Sequence, residues 1–209
     1  SGMTRELVDL IASEERIVPY LDMPLQHGSD RILELMRRPE RKNTIRERVG
    51  WLRDAVPDLT LRTTVIVGFP GETDDDFREM LDLLDDMRFE RVGAFPYSVE
   101  VGTRAVDLPD RVPEDIIEER LEEVMEVQRG ISLERNLELV GSTMTVLVDE
   151  RIENDPDFTA AGRTVGQAID VDGITHLRAP ENIRPGDLVT ATIVEALDYD
   201  LIAEVSDSV

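Results

Sequence analysis

The chain has 209 residues, is 41% hydrophobic, contains no cysteine and carries a formal net charge of −23. That length allows one large domain or two small ones with buried cores, and the absent thiols exclude disulfides, thiolate metal sites and a cysteine nucleophile within these residues. The charge excludes non-specific nucleic-acid binding through a basic surface, and no apolar run approaches the ~18 residues of a membrane span.

Against 46 carboxylates stand one lysine, Lys42, and 22 arginines. The acidity is spread, at −13 over residues 1–140 and −10 over 141–209. It suits either a strongly basic partner or a chain-wide adaptation to high salt. No secretory apolar segment opens the chain, so a cytoplasmic location is expected. Ser1-Gly2 before Met3 reads as a cloning scar and is set aside.

Leu7, Leu10 and Ile11 stand at helical spacing, so residues 3–12 read as the end of a helix. Ile17 to Met23 reads as a strand, weakened by Pro19. Ser29 suits the N-cap of a helix running to about Arg37. Thr44 and Glu47 make a capping-box pattern for the next helix, with Ile45, Val49 and Leu52 on its inner face. Leu61 to Val67 is apolar and β-branched, as a buried parallel strand is, and it ends in the turn Gly68-Phe69-Pro70-Gly71.

Thr73 then caps a helix whose first turn holds Asp74, Asp75 and Asp76, favourable against the positive end of its dipole. Phe77, Met80, Leu81 and Leu84 give that helix one buried stripe. Arg91 to Tyr97 is the third strand. Strands alternating with helices at this spacing imply right-handed βαβ units and a parallel sheet. Pro113 opens a long helix, with Ile117, Leu121, Val124, Gln128 and Ile131 tracing its seam to about residue 139.

The pattern changes at Val140–Gly141, which is taken as the domain boundary, giving domains 3–140 and 141–209. Met144, Val146 and Val148 alternate with polar residues, as do Val189, Ala191 and Ile193, then Leu201, Ala203 and Val205. The turns Asp155-Pro156, Asp172-Gly173 and Pro185-Gly186-Asp187 separate them. Short alternating strands of this kind predict a small antiparallel barrel. The expected fold is therefore α/β followed by all-β.

Each of the three parallel strands ends in a distinctive loop. The first is Pro24-Leu25-Gln26-His27-Gly28-Ser29-Asp30, continuing to Met36-Arg37-Arg38. The second is Gly68-Phe69-Pro70-Gly71-Glu72-Thr73. The third is Phe95-Pro96-Tyr97-Ser98, followed by Gly102-Thr103-Arg104-Ala105. In this order the loops resemble the radical S-adenosylmethionine (SAM) methylthiotransferases. Gly162 to Ala168 with Val171-Asp172-Gly173-Ile174 is similar to the TRAM domain that ends those enzymes.

Leu21 to His27 together with that TRAM signature most resembles the branch that adds a methylthio group to the β-carbon of an aspartate in ribosomal protein uS12. The resemblance implies the second half of a partial radical SAM barrel. It also implies SAM and 4Fe-4S clusters as cofactors of the intact enzyme. The CxxxCxxC loop and the three further cluster cysteines of the family have no counterpart here, so the chain alone is expected to be inactive.

From the same resemblance, Gln26 and Ser29 are expected near the ribose or methionine end of SAM, although Ser29 also reads as an N-cap and Gln26 as a loop residue. His27 either approaches the substrate or is an ordinary loop histidine. Arg38 matches an arginine suited to the SAM carboxylate, with Arg37 beside it. Ile66 and Gly68 are expected at the adenine, though a core strand and a turn glycine explain them too. Thr64 replaces a family glycine. Phe95 and Tyr97 either stack on the cofactor or belong to the core. Glu72 reads as a turn stabiliser and His176 as structural.

Residues 141–209 hold four arginines, fourteen carboxylates and only Phe158 and Tyr199 as aromatics. That composition disfavours RNA, which needs a basic groove and stacking rings, and favours basic uS12 as the TRAM partner. An acidic protein-binding module and a tRNA-modifying relative remain the alternatives. The strand at 17–22 is expected to present an unpaired edge, through which the chain self-associates.

Overall fold

The structure, a computed structural model, describes residues 3–180 and 182–206; Ser1-Gly2, read as a cloning scar, lie outside them. Two units follow one another, Ser1–Gln128 and Arg129–Val209.

In the first unit, three parallel strands lie side by side in the order β1-β2-β3 (Tyr20–Asp22, Thr60–Val67, Arg91–Pro96). Helices α2 (Asp30–Leu35) and α3 (Lys42–Ala55) connect the first pair, and α4 (Asp74–Met87) the second. This is the expected βαβ alternation. Strand β1 starts only after Pro19, whose missing N–H cannot join the ladder, though its carbonyl still accepts from Thr60 N. Gln26 extends the pairing as an isolated parallel bridge to Val65.

Strand β2 is buried on one face rather than on both. Leu61, Thr63, Val65 and Val67 are buried, while Thr60, Arg62, Thr64 and Ile66 are half-exposed. Three strands present too narrow a sheet for cover on both sides, so the helices take the first face and leave the second open. Under the covered face, Leu33, Ile45, Val49, Leu52, Met80 and Leu84 make the core, as the helical spacings predicted.

Two helix starts differ from expectation. Helix α1 (Arg5–Ser13) has its own N-cap, Thr4, so it begins here rather than ending here. It buries Val8 and leaves Leu7 and Leu10 exposed, because Arg5 stacks on Trp51 of α3 and turns the helix onto that side. Helix α3 starts at Lys42, two residues before the Thr44 pattern, because the Asp30 carboxylate accepts from Lys42 N at 2.7 Å. A carboxylate from a neighbouring helix thus does the capping. Helix α4 follows expectation, with a complete Thr73/Asp76 capping box.

Helix α5 (Glu114–Glu138) begins just after Pro113 and runs through the division between the units. In the first unit it buries Val124 and Gln128; in the second it buries Ile131 and Asn136.

The second unit holds a closed barrel of β4 (Thr143–Arg151), β5 (Ala160–Arg163), β6 (Thr175–Arg178), β7 (Leu188–Ala196) and β8 (Leu201–Val205), in the order β4-β5-β6-β8-β7. Four pairs are antiparallel and one, β6 with β8, is parallel. Val146, Val148, Ala191, Ile193, Leu201 and Ala203 fill its interior, matching the alternation. Strand β5 carries no β-branched residue. At its Gly162 a Cβ would lie 2.3 Å from the Leu147 carbonyl oxygen, so the close β4–β5 approach requires glycine.

Candidate functional site

Parallel strands deliver their carboxyl ends, and the loops after them, to one edge of the sheet. Here the three loops enclose a cleft of about 910 Å³ within the first unit, a volume suited to a nucleoside-sized ligand. Its floor is the open face of the sheet, with Thr64, Ile66 and Phe95, joined by Phe69 and Tyr97 in edge-to-face contact at 5.3 Å. Of the residues expected at a cofactor, Gln26, Arg38, Ile66, Phe95 and Tyr97 line this one cleft. Ser29 and Gly68 do not.

Ser29 occupies the N-cap position of α2 but makes no capping hydrogen bond. Its hydroxyl is buried and donates to Asp76 Oδ1 at 2.7 Å. Asp76 also accepts from Thr73 N at 2.9 Å, from Thr73 Oγ1 at 2.5 Å and from the Arg31 guanidinium. Burial opposes the charged carboxylate, but the bonds from Arg31, Thr73 and Ser29 outweigh it and hold the group well below the ordinary aspartate range. Asp76 thereby ties the first loop to the start of α4.

Gly68 adopts φ +79, and a Cβ there would lie 2.4 Å from Ile117 Cγ1, so only glycine fits the turn beneath α5. Its N–H donates to Glu72 Oε2 at 2.9 Å, as does Phe69 N at 3.3 Å. His27, fully buried, reaches the same oxygen through Nε2 at 3.2 Å. Ser29 N donates to His27 Nδ1 at 2.9 Å, so that nitrogen is bare and the ring proton sits on Nε2. On the other side, Arg120 of α5 gives Nη1 to Glu72 Oε1 at 2.7 Å and Nη2 to Asp74 at 2.5 Å.

Glu72 is therefore a buried turn stabiliser, as its sequence position suggested, and four donors satisfy it. Arg120 had no local signal in the sequence. It lies 48 residues beyond its partner, and only the docking of α5 brings the charges together.

The cleft's own polar groups are less settled. The Tyr97 hydroxyl is buried and has no hydrogen-bond partner among the described residues, although Tyr97 itself lines the cleft. Gln26 holds φ +73 and Arg37 φ +59, left-handed values uncommon for side-chain-bearing residues. Arg37 and Arg38 follow α2 as a Schellman turn, with Arg37 N bonded to Glu34 O and Arg38 N to Leu33 O. Glycine is favoured at the Arg37 position, where a larger side chain costs about 1 kcal/mol. Arg104, at the head of the short 3-10 helix Arg104–Asp107, also lines the cleft.

An apolar floor for a ring and guanidiniums in the lining for a carboxylate fit an amino-acid nucleoside such as SAM. An iron–sulfur cluster does not fit: the chain has no cysteine, and no metal-ligand cluster occurs among the described residues.

The Radical SAM superfamily matches residues 1–84 and the TRAM domain residues 140–205. Ribosomal protein uS12 methylthiotransferase RimO of Clostridioides difficile is 40% identical over 98% of this chain and 45% of its own length. RimO of Aeromonas salmonicida is 46% identical over 90% of the chain and 42% of its own length. The chain thus spans less than half of these curated relatives. Coproporphyrinogen III oxidase (HemN) from Escherichia coli, a radical SAM enzyme, shares the fold at TM-score 0.53 and 16% identity, over 62% of this chain and 30% of its own. By both matches and their order, the chain is similar to a radical SAM segment followed by a TRAM domain and to RimO.

Proposed function

We propose that this chain is the C-terminal part of an enzyme that methylthiolates the β-carbon of an aspartate in ribosomal protein uS12, and that it is inactive alone. The observation that carries this reading is the strand-end cleft, with its apolar floor, unpartnered Tyr97 hydroxyl and rim arginines. In it, Ile66 and Phe95 hold the adenine, Tyr97 donates a hydrogen bond, and Gln26 meets the ribose or methionine end. Arg38 pairs with the SAM carboxylate. Ser29 and Gly68 act from behind the lining, through Asp76 and Glu72, by fixing the loops.

In the intact enzyme a reduced cluster with SAM would supply hydrogen-abstracting radical chemistry for the aspartate. No residue here ligates the cluster, so none is given a part in that step. These residues bind and orient, and the buried Glu72 network keeps the second loop from moving.

The TRAM domain, taken from Gly141 onward, docks uS12. Its fourteen carboxylates against four arginines attract a basic protein and repel phosphate. A self-standing acidic binding module is the second reading, favoured by the net charge of −23. Edge strand β1 and the exposed Leu7, Leu10 and Val18 nearby support self-association. No helix among the described residues is long and apolar enough to cross a membrane.

Calorimetry tests both parts. SAM is expected to bind the chain and to bind less tightly to R38Q. Titration with uS12 is expected to give binding that weakens steeply between ~50 and ~500 mM salt. Incubation with iron, sulfide, reductant and SAM is expected to yield no 5′-deoxyadenosine. Absence of SAM binding removes the cofactor reading. Salt-insensitive binding, or tRNA binding instead, removes the partner.

A further inference from the structure

We propose that Arg37 is the residue that recognises the side-chain carboxylate of the acidic substrate residue. The inference rests on the reading of the cleft given above and adds a specificity determinant to it.

The argument begins from the scarcity of free cations. With 46 carboxylates and 23 basic residues, nearly every guanidinium in the structure is engaged. Arg31 is held by Asp76, Arg46 by Asp86, Arg62 by Asp22 and Arg163 by Asp149. Arg37, Arg38 and Arg104 have no side-chain partner among the described residues, and all three line the same cleft. Two carboxylates, Glu34 and Glu100, line it as well, and Glu100 already accepts from Ser98 Oγ at 3.1 Å. The cleft is therefore a cationic spot on a strongly anionic chain, arranged for anions that must enter it.

One guanidinium satisfies one carboxylate bidentately. Assigning Arg38 to SAM leaves a cation beside it. The proposed reaction needs one, because the reacting β-carbon of aspartate is bonded directly to a carboxylate. Bringing that carbon into a cleft with an apolar floor strips water from the charge, which is costly unless a cation meets it.

Backbone strain picks Arg37 over Arg104. Arg37 sits at φ +59 in the Schellman turn, the position where glycine is preferred. Arg104 sits at the head of its 3-10 helix, outside that left-handed set. A side chain retained against local preference marks a site where the side chain is needed. The turn also places Arg37 next to Arg38, so the two anions bind as neighbours.

The test uses the 209-residue chain, a short lysine-flanked peptide with a single central aspartate, and its Asp→Asn twin, titrated with and without SAM. Wild type is expected to bind the aspartate peptide about tenfold more tightly than the twin, a difference typical of one charge-assisted pair. R37Q and R37G are expected to abolish that preference while leaving SAM affinity within about twofold. R37G is also expected to melt about 2 °C higher than wild type, because glycine relieves the left-handed strain. A purely structural residue would not combine gained stability with lost discrimination. Equal binding of the two peptides to wild type, no binding of either, or retained discrimination in R37G and R37Q overturns the proposal. Failure of SAM to bind is a separate result that removes the cofactor reading, while the peptide comparison still decides Arg37.

Discussion

The two units hold themselves together by different means. The first is an open sheet of three strands, and its strand-end loops are fixed by buried carboxylates: Glu72 with His27 and Arg120 in one cluster, Asp76 with Arg31 in another. The second is a closed ring in which every strand has two neighbours. Its buried polar groups are neutral, with Gln167 Oε1 accepting from Thr164 N at 2.9 Å and from Thr175 Oγ1 at 2.7 Å. Ring closure fixes its own ends through backbone ladders. An open edge that must present loops to a ligand lacks those ladders and uses side-chain charges instead, which ties its integrity to particular residues.

The comparison can be broken most forcefully at Arg120. R120M leaves the Glu72 carboxylate buried without its cation, and about 3–5 kcal/mol of stability is expected to be lost from the first unit. Denaturant unfolding followed at Trp51, which lies in that unit, is the measurement. A loss below about 1 kcal/mol would mean that the backbone, not the ion pair, holds the loop.

A smaller effect belongs to Asp76 and depends on pH. Because the folded carboxyl titrates below the unfolded one, its contribution is complete above the ordinary aspartate range near pH 4. It fades as the pH falls below that range toward the folded value. D76N is expected to cost about 2 kcal/mol at neutral pH and to flatten the acid limb of the stability curve. Parallel acid limbs for the two proteins would remove Asp76 from the account.

The smallest expected change sharpens the contrast from the barrel side. T175V removes one neutral donor from Gln167 and is expected to cost about 1 kcal/mol, with no dependence on pH between 4 and 8. A pH-dependent loss there would mean that the barrel, too, relies on charge.

Much of the fold was legible in the residue order. Apolar spacing located the α3 and α4 stripes, β-branched runs located β2, and alternation located β4, β7 and β8, because each of these signals is local. Strand β5 was hidden: its four residues, Ala160–Arg163, carry no propensity, and only closure of the ring demands them. The α3 start was misplaced because its cap, Asp30, comes from another helix.

The candidate site divides in the same way. Composition and loop order alone established the chain's acidity, its lack of cluster ligands and the three strand-end loops. Tertiary structure decided which side chains share the cleft: Gln26, Arg38, Ile66, Phe95 and Tyr97 meet there, while Ser29 and Gly68 turn inward to Asp76 and Glu72. It also brought Arg120 to Glu72 and left Arg37 unpaired. The physical reason is range. Propensity, periodicity and capping act over a few residues, whereas charge pairing and cleft formation join residues that only packing makes neighbours.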